Sequence, residues 1–151
     1  MRHLAIALAL LAGTSACGGG NGTPGEPSHP SGWTKSMQNG VETWTNPNAP
    51  SETFIATSKP FDGTTKDLAS QITLDTVLKR HGKLLHTVAF PPCPGEAGLQ
   101  TYRLRPSTLL TVAYAAYGDK ALTATYSRPE KAGEDAAAMD AIRRTVCTGI
   151  G

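Results

Sequence analysis

The stretch TLLTVAYAAYGDKALTATYS, residues 108 to 127, constrains the fold more than any other part of the chain. Leu110, Val112 and Tyr114 share one face of its first half, and Leu122, Ala124 and Tyr126 share one face of its second. Between the halves, YGDK supplies Gly118 and Asp119 for a short turn. Period-two alternation on both sides of such a turn specifies an antiparallel hairpin. The neighbouring segments extend the sheet. KLLHTVAF (83 to 90) and LQTYRLR (99 to 105) read as strands on either side of the rigid loop PPCPGEAG, and VETWT (41 to 45) and TFIATS (53 to 58) read as an earlier pair separated by the turn residues of NPNAPSE. Six strands are therefore expected.

Two segments carry helical spacing instead. TTKDLASQITLDTVLKRHG offers Thr64 or Thr65 as N-cap, Asp67 in the first turn, Lys79, Arg80 and His81 in the last, and Gly82 as the stop. Leu68, Ile72 and Leu78 are expected on one side, with Leu74 on the flank, and Gln71 and Asp75 interrupting the stripe. GEDAAAMDAIRRTVC closes the chain with Glu134 and Asp135 at its start, Met139, Ile142 and Val146 at helical spacing, and Arg143 and Arg144 near its end. The fold class expected is α+β, with two helices packed on a mostly antiparallel sheet.

The 151 residues suit one such domain once a targeting segment is removed. MRHLAIALALLAGTSAC has a positive start at Arg2, an apolar run from Leu4 to Ala12, and small residues before Cys17, the pattern of a secretory signal too short to span a bilayer. Ser15, Ala16 and Cys17 resemble a bacterial lipoprotein signal, in which an apolar or small triplet precedes a Cys that is lipidated and becomes the N-terminus. Thr14 stands where Leu is commonest, so ordinary cleavage after Ala16, giving a secreted or periplasmic protein, is the alternative. From Gly18 to Gly32 the chain offers no aliphatic or aromatic side chain, as expected of a flexible tether behind an anchor. The domains expected are a signal over 1–16, a lipidated Cys17 with tether over 17–32, and a single α+β domain over 33–151. A membrane reached through the lipid is the first partner, and the location is the bacterial cell envelope, outside the cytoplasm.

The order GW, a strand pair, DLASQITLDTVLK, a run of strands and a closing helix resembles the PsbP-like fold over roughly residues 33 to 147. That superfamily includes an extrinsic photosystem II subunit, a Ran-binding nuclear-import factor and small bacterial envelope lipoproteins. The resemblance lies in element order, carries over no functional residue, and implies an adaptor-like domain that binds proteins. A cystatin-like sheet-plus-helix fold is the alternative, and would suit a protective or inhibitory module.

Several chemistries find no support in the residues. A net charge of +2 with only two adjacent basic pairs, Lys79-Arg80 and Arg143-Arg144, argues against nucleic acid as a partner. No G-x-S-x-G elbow is present, and Ser58 and Ser70 read as a strand end and an exposed helix position. GGGNG has neither a preceding strand nor a following Lys-Ser or Lys-Thr, so it is no phosphate loop. His81 and His86 straddle a helix stop and share no helical face, and His29 lies in the tether, so neither a metal nor an organic cofactor is expected. Asp62, Asp67 and Asp119 fit turn and helix-start roles. An enzyme with a dispersed site would have to draw on Asp75, His86 and Glu96. The expectation is instead a non-enzymatic protein with no catalytic residue, binding a protein or small ligand. Trp33 and Trp44 mark a candidate binding surface, since Trp joins apolar area to a polar handle; packing in the core is the alternative for them and for Tyr102, Tyr114, Tyr117 and Tyr126. An oxidising compartment, with Cys17 assigned to lipid, leaves Cys93 and Cys147 to form a disulfide.

Overall fold

The computed structural model describes residues 27–89 and 96–147. Cys17 and Cys93 lie outside the described residues. The elements run β1 (Thr34–Gln38), β2 (Val41–Asn46), β3 (Ala49–Pro60), α1 (Thr65–Leu74) with a π-turn (Asp75–Lys79), β4 (Lys83–Ala89), β5 (Gly98–Leu104), β6 (Thr108–Tyr117), β7 (Lys120–Pro129) and α2 (Ala136–Cys147). The strands form one antiparallel sheet in the order β1-β2-β3-β7-β6-β5-β4.

Among the described residues the sheet has seven strands, one more than the segments read from sequence. β1 has no buried face: all five of its residues are exposed, so no apolar alternation marks it. Its signal is the turn after it, where Asn39 and Gly40 both take positive φ, at 52° and 77°. That conformation belongs to the two-residue hairpin turn that Asn-Gly favours. β3 also begins earlier than TFIATS suggests, because Asn46 pairs with Ala49 across Pro47 and Asn48, and the Asn48 N–H donates to Asn46 Oδ1 at 3.0 Å. Three further residues are taken up as a bulge, and the buried Glu52 carboxylate there accepts from Asn46 Nδ2 at 2.8 Å.

The sheet is covered on both faces. Residues directly opposite in a ladder point the same way, and Ala113 pairs with Ala124, and Ala115 with Leu122, while Tyr114 pairs with Thr123. Leu122, Ala124 and Tyr126 therefore face one way and Leu110, Val112 and Tyr114 the other. Ala124 and Tyr126 of the first set, with Phe54, Leu99, Ala113 and Ala115, pack against Ala138, Ala141, Ile142 and Val146 of α2. Small alanines on β6 and β7 let α2 sit close, and Ile142 and Val146 are fully buried, contributing about 1.5–3 kcal/mol each. The second set takes Leu68 and Ile72 of α1, with Tyr102 and Ala121.

Both helices start on a cap. Thr64 and Asp67 make a reciprocal capping box for α1, and the neighbouring Thr65 hydroxyl accepts from the Ala116 N–H and donates to the Glu96 carbonyl, each at 3.1 Å. Asp135 Oδ1 accepts the Ala138 N–H at 3.0 Å at the head of α2. The far end of α1 departs from expectation. Leu78 does not join Leu68 and Ile72 but is exposed, because α1 gives way to the π-turn after Leu74. The wider i→i+5 turn rotates the residues after Leu74 away from the buried stripe, and Thr76 takes the inward place, packed by Gly82.

Ordered packing begins before Trp33. The Ser28 N–H donates to Thr145 Oγ1 at 3.0 Å, His29 stacks on Trp44 with centroids 3.9 Å apart, and Pro30 is fully buried. Arg144 donates to the His29 carbonyl at 3.2 Å. Residues 27–32, expected in the tether, are thus folded against α2 and β2, because Pro30 is buried and His29 stacks on Trp44, contacts that the composition of the segment conceals.

Candidate functional site

β2 and β3 are paired over only part of their length. Their ladder covers Trp44, Thr45 and Asn46, and beyond Trp44 no pairing joins the two strands. β2 stays paired to β1 through Val41 and β3 to β7 through Pro60, so each strand follows its other neighbour and the pair parts. A cleft of about 770 Å³ opens at this point, lined by Val41 and Glu42 on one wall, Ile55, Thr57 and Lys59 on the other, and Asp75 and Arg80 from the π-turn region. Pro27, the first described residue, also lines it. A smaller hollow of about 220 Å³ continues beneath α1, sharing Thr57, Lys59, Asp75 and Thr123 and adding Phe61, Leu68 and Ile72.

The lining sets the chemistry. Thr57 Oγ1 and Thr123 Oγ1 lie 2.7 Å apart on adjacent strands, giving a hydroxyl floor. Lys59 and Arg80 bring cations to the rim, Asp75 is bridged to Lys79 at 2.9 Å, and Glu42 is held by Trp44 Nε1 at 3.0 Å and by Lys35 at 3.7 Å. Among the described residues, β3 has no strand partner on its cleft side from Ile55 to Pro60. Main-chain donors and acceptors on an unpaired strand edge are a ready template for an extended peptide.

The residues singled out from sequence fall in different places. Trp33 is 7% exposed and meets Tyr126 edge-on, with centroids 6.0 Å apart, so it belongs to the core on the α2 side rather than to a surface. Trp44 is half-buried between His29 and the Glu42 carboxylate. Asp75 lines the cleft. His86 is on β4, at the far edge of the sheet, with β7, β6 and β5 between it and β3. A bulge between Leu84 and His86 makes Leu84 pair with Tyr102 and His86 with Thr101, so these two residues, two apart in the strand, fall on opposite faces. Glu96 lines a separate shallow hollow with Thr87 and Val88. Asp75, His86 and Glu96 are not brought together. Cys147 ends α2, half-buried.

Sequence reading missed the cleft because Ile55, Thr57 and Thr123 look like ordinary strand positions. The available signals were Asn39-Gly40, which announces a β1–β2 hairpin, and Asp75, which breaks the apolar stripe where the π-turn begins. Among the described residues no group of three His, Cys, Asp or Glu is placed to hold a metal, and no helix is long and apolar enough to cross a membrane.

No protein-family model matches the chain, and no curated protein matches its sequence. Its fold has a solved counterpart. The solution structure of cyanobacterial PsbP (CyanoP) from Synechocystis sp. PCC 6803 superposes with a TM-score of 0.54 at 15% identity, covering 68% of this chain and 72% of that one. The seven-stranded antiparallel sheet with its two helices is a PsbP-like fold, rather than the cystatin-like alternative.

Proposed function

We propose that this protein is a non-enzymatic binding domain of the bacterial cell envelope, lipid-anchored through Cys17, that receives an extended segment of a protein partner in the cleft between β2 and β3. The observation that carries the reading is the parting of those strands: it leaves β3 without a partner over a full run of residues, above a floor of hydroxyls and beside a cationic rim. Main-chain pairing supplies affinity in such a site, and the pockets for alternate side chains supply selectivity. Among the described residues the cleft presents no nucleophile and base in hydrogen-bond contact, since Asp75 is engaged by Lys79 and Thr57 by Thr123, and a hydroxyl so placed has no activating group. The short apolar run ending at Ser15-Ala16-Cys17 supports the anchor.

Photo-crosslinking tests this in the protein's own membranes. A crosslinking side chain at Lys59, in the cleft, should give a discrete protein adduct that the same group at the exposed Lys131 does not give, and Ile55→Arg should abolish it. The same adducts from both positions, or an adduct indifferent to Ile55→Arg, would refute the site. Mass spectrometry of the native N-terminus decides the anchor separately; a lipidated Cys17 is expected, and an unmodified terminus would refute it.

A further inference from the structure

We infer that the outer face of the π-turn is a membrane-docking surface, and that it seats on anionic phospholipid beside the anchor. Leu74, Val77 and Leu78 are 58%, 38% and 67% exposed. All three lie at the end of α1 or within the π-turn, which directs Leu78 outward instead of into the stripe of Leu68 and Ile72. Leu84, also exposed, pairs with Tyr102 and so lies on the same side of the sheet as α1. Large apolar side chains gathered at one exposed place mark a contact surface.

Charge selects the occupant. Lys79, Arg80 and Lys83 come soon after Leu78, and from residue 68 to 89 the sole acid is Asp75, which Lys79 bridges. This segment therefore carries an excess as large as the +2 of the whole chain. Apolar residues that enter the acyl boundary, ringed by cations at headgroup level, are the composition of an interfacial anchor. A lipid interface also accepts protruding side chains without the shape complementarity that a protein partner must provide.

The position of the chain's exit agrees. Pro27, the first described residue, lines the same cleft as Arg80, while the residues after it pack on α2. Cys17 lies ten positions before Pro27, a reach of at most about 36 Å. A lipid at Cys17 would hold this face near the bilayer and raise its effective concentration there. The orientation rests on the lipid-anchored reading above; the affinity of the face for lipid does not.

The test separates the two by omitting the lipid. The mature chain from residue 17, carrying Cys17→Ser, is sedimented with vesicles of phosphatidylglycerol and phosphatidylethanolamine and with vesicles of phosphatidylcholine alone. Binding to the first set should exceed binding to the second and should fall as salt is raised. The charge reversal Lys79→Glu/Arg80→Glu should weaken it about tenfold or more, on the usual contribution of each cation near an anionic surface. Leu74→Ser/Leu78→Ser should abolish it with an unchanged melting temperature, since both positions are exposed. Absence of binding by the parent, equal binding to both vesicle types, or binding that survives both variants would overturn the inference. Capture of a soluble protein by this face with no vesicle binding would overturn it too, in favour of a protein contact. Lipidation of Cys17, read by mass, bears on none of these outcomes.

Discussion

The Tyr126 phenol accepts the Asp135 N–H at 3.1 Å, and Asp135 in turn caps α2 through the Ala138 N–H at 3.0 Å. One fully buried side chain on β7 thereby sets where the closing helix begins. Burial pushes the Tyr126 phenol up to about 12, outweighing the Asp135 N–H, which favours the ionised form. A raised phenol pKa means that the unfolded chain releases this proton first. Stability should therefore be unaffected below pH 10 and lost progressively as pH rises from about 10 to 12, by roughly 2–3 kcal/mol. Tyr126→Phe should remove that alkaline slope and, by leaving the Asp135 N–H without its acceptor, cost about 1–2 kcal/mol at neutral pH. Urea denaturation at a series of pH values measures both.

Gly98 lies under the Tyr114 ring, its cross-strand partner, with no space for a side chain between them. A Cβ at this position would fall well inside contact distance of the ring, and the ring is itself packed by Leu68 and Ala121. Gly98→Ala should destabilise the domain by about 1–3 kcal/mol as overpacking. Thermal unfolding should show a clear drop in midpoint, and combination with Tyr114→Ala should cost less than the sum of the two single changes.

Acid should loosen α1 from its first turn. Hydrogen bonds from the Thr64 backbone N–H and hydroxyl hold the Asp67 carboxyl below its ordinary 3.8. A depressed carboxylate pKa contributes stability that is complete above the ordinary value and is lost as pH falls through the lowered one. Amide exchange at Leu68, whose N–H donates to the Thr64 carbonyl at 3.0 Å, should accelerate below pH 4 beyond the intrinsic trend for an exposed amide. Asp67→Asn should already show the faster exchange at neutral pH.

We propose that Cys147, at the end of α2, pairs with Cys93, and that the bond fastens that helix to the loop between β4 and β5. Closing a loop of this length stabilises by about 4 kcal/mol on the chain-entropy account, less any native strain. Thiol titration of the unreduced, unfolded protein should find neither cysteine free, and reduction should lower the melting temperature markedly. Two reactive thiols, or a melting curve unchanged after confirmed reduction, would refute the bond or its structural role.

What the amino-acid sequence determined by itself was local: the β6–β7 hairpin from its alternation and YGDK turn, the two helices from their caps and spacing, and the α+β class from the order of elements. These arise from neighbours a few residues apart, whose periodicity and turn chemistry act before any distant contact forms. Edge strands escape that logic, because β1 buries no face and so carries no alternation, while the bulge in β4 puts Leu84 and His86 on opposite sides despite their spacing. The tertiary structure alone decided that the two faces of one hairpin serve different helices, that Trp33 is interior, and that the stripe of α1 ends at a π-turn which turns Leu78 outward. It also decided the cleft. Whether β2 stays beside β3 or parts from it depends on which of two neighbours each strand follows, β1 for one and β7 for the other, and that competition is settled only when strands far apart in sequence are paired.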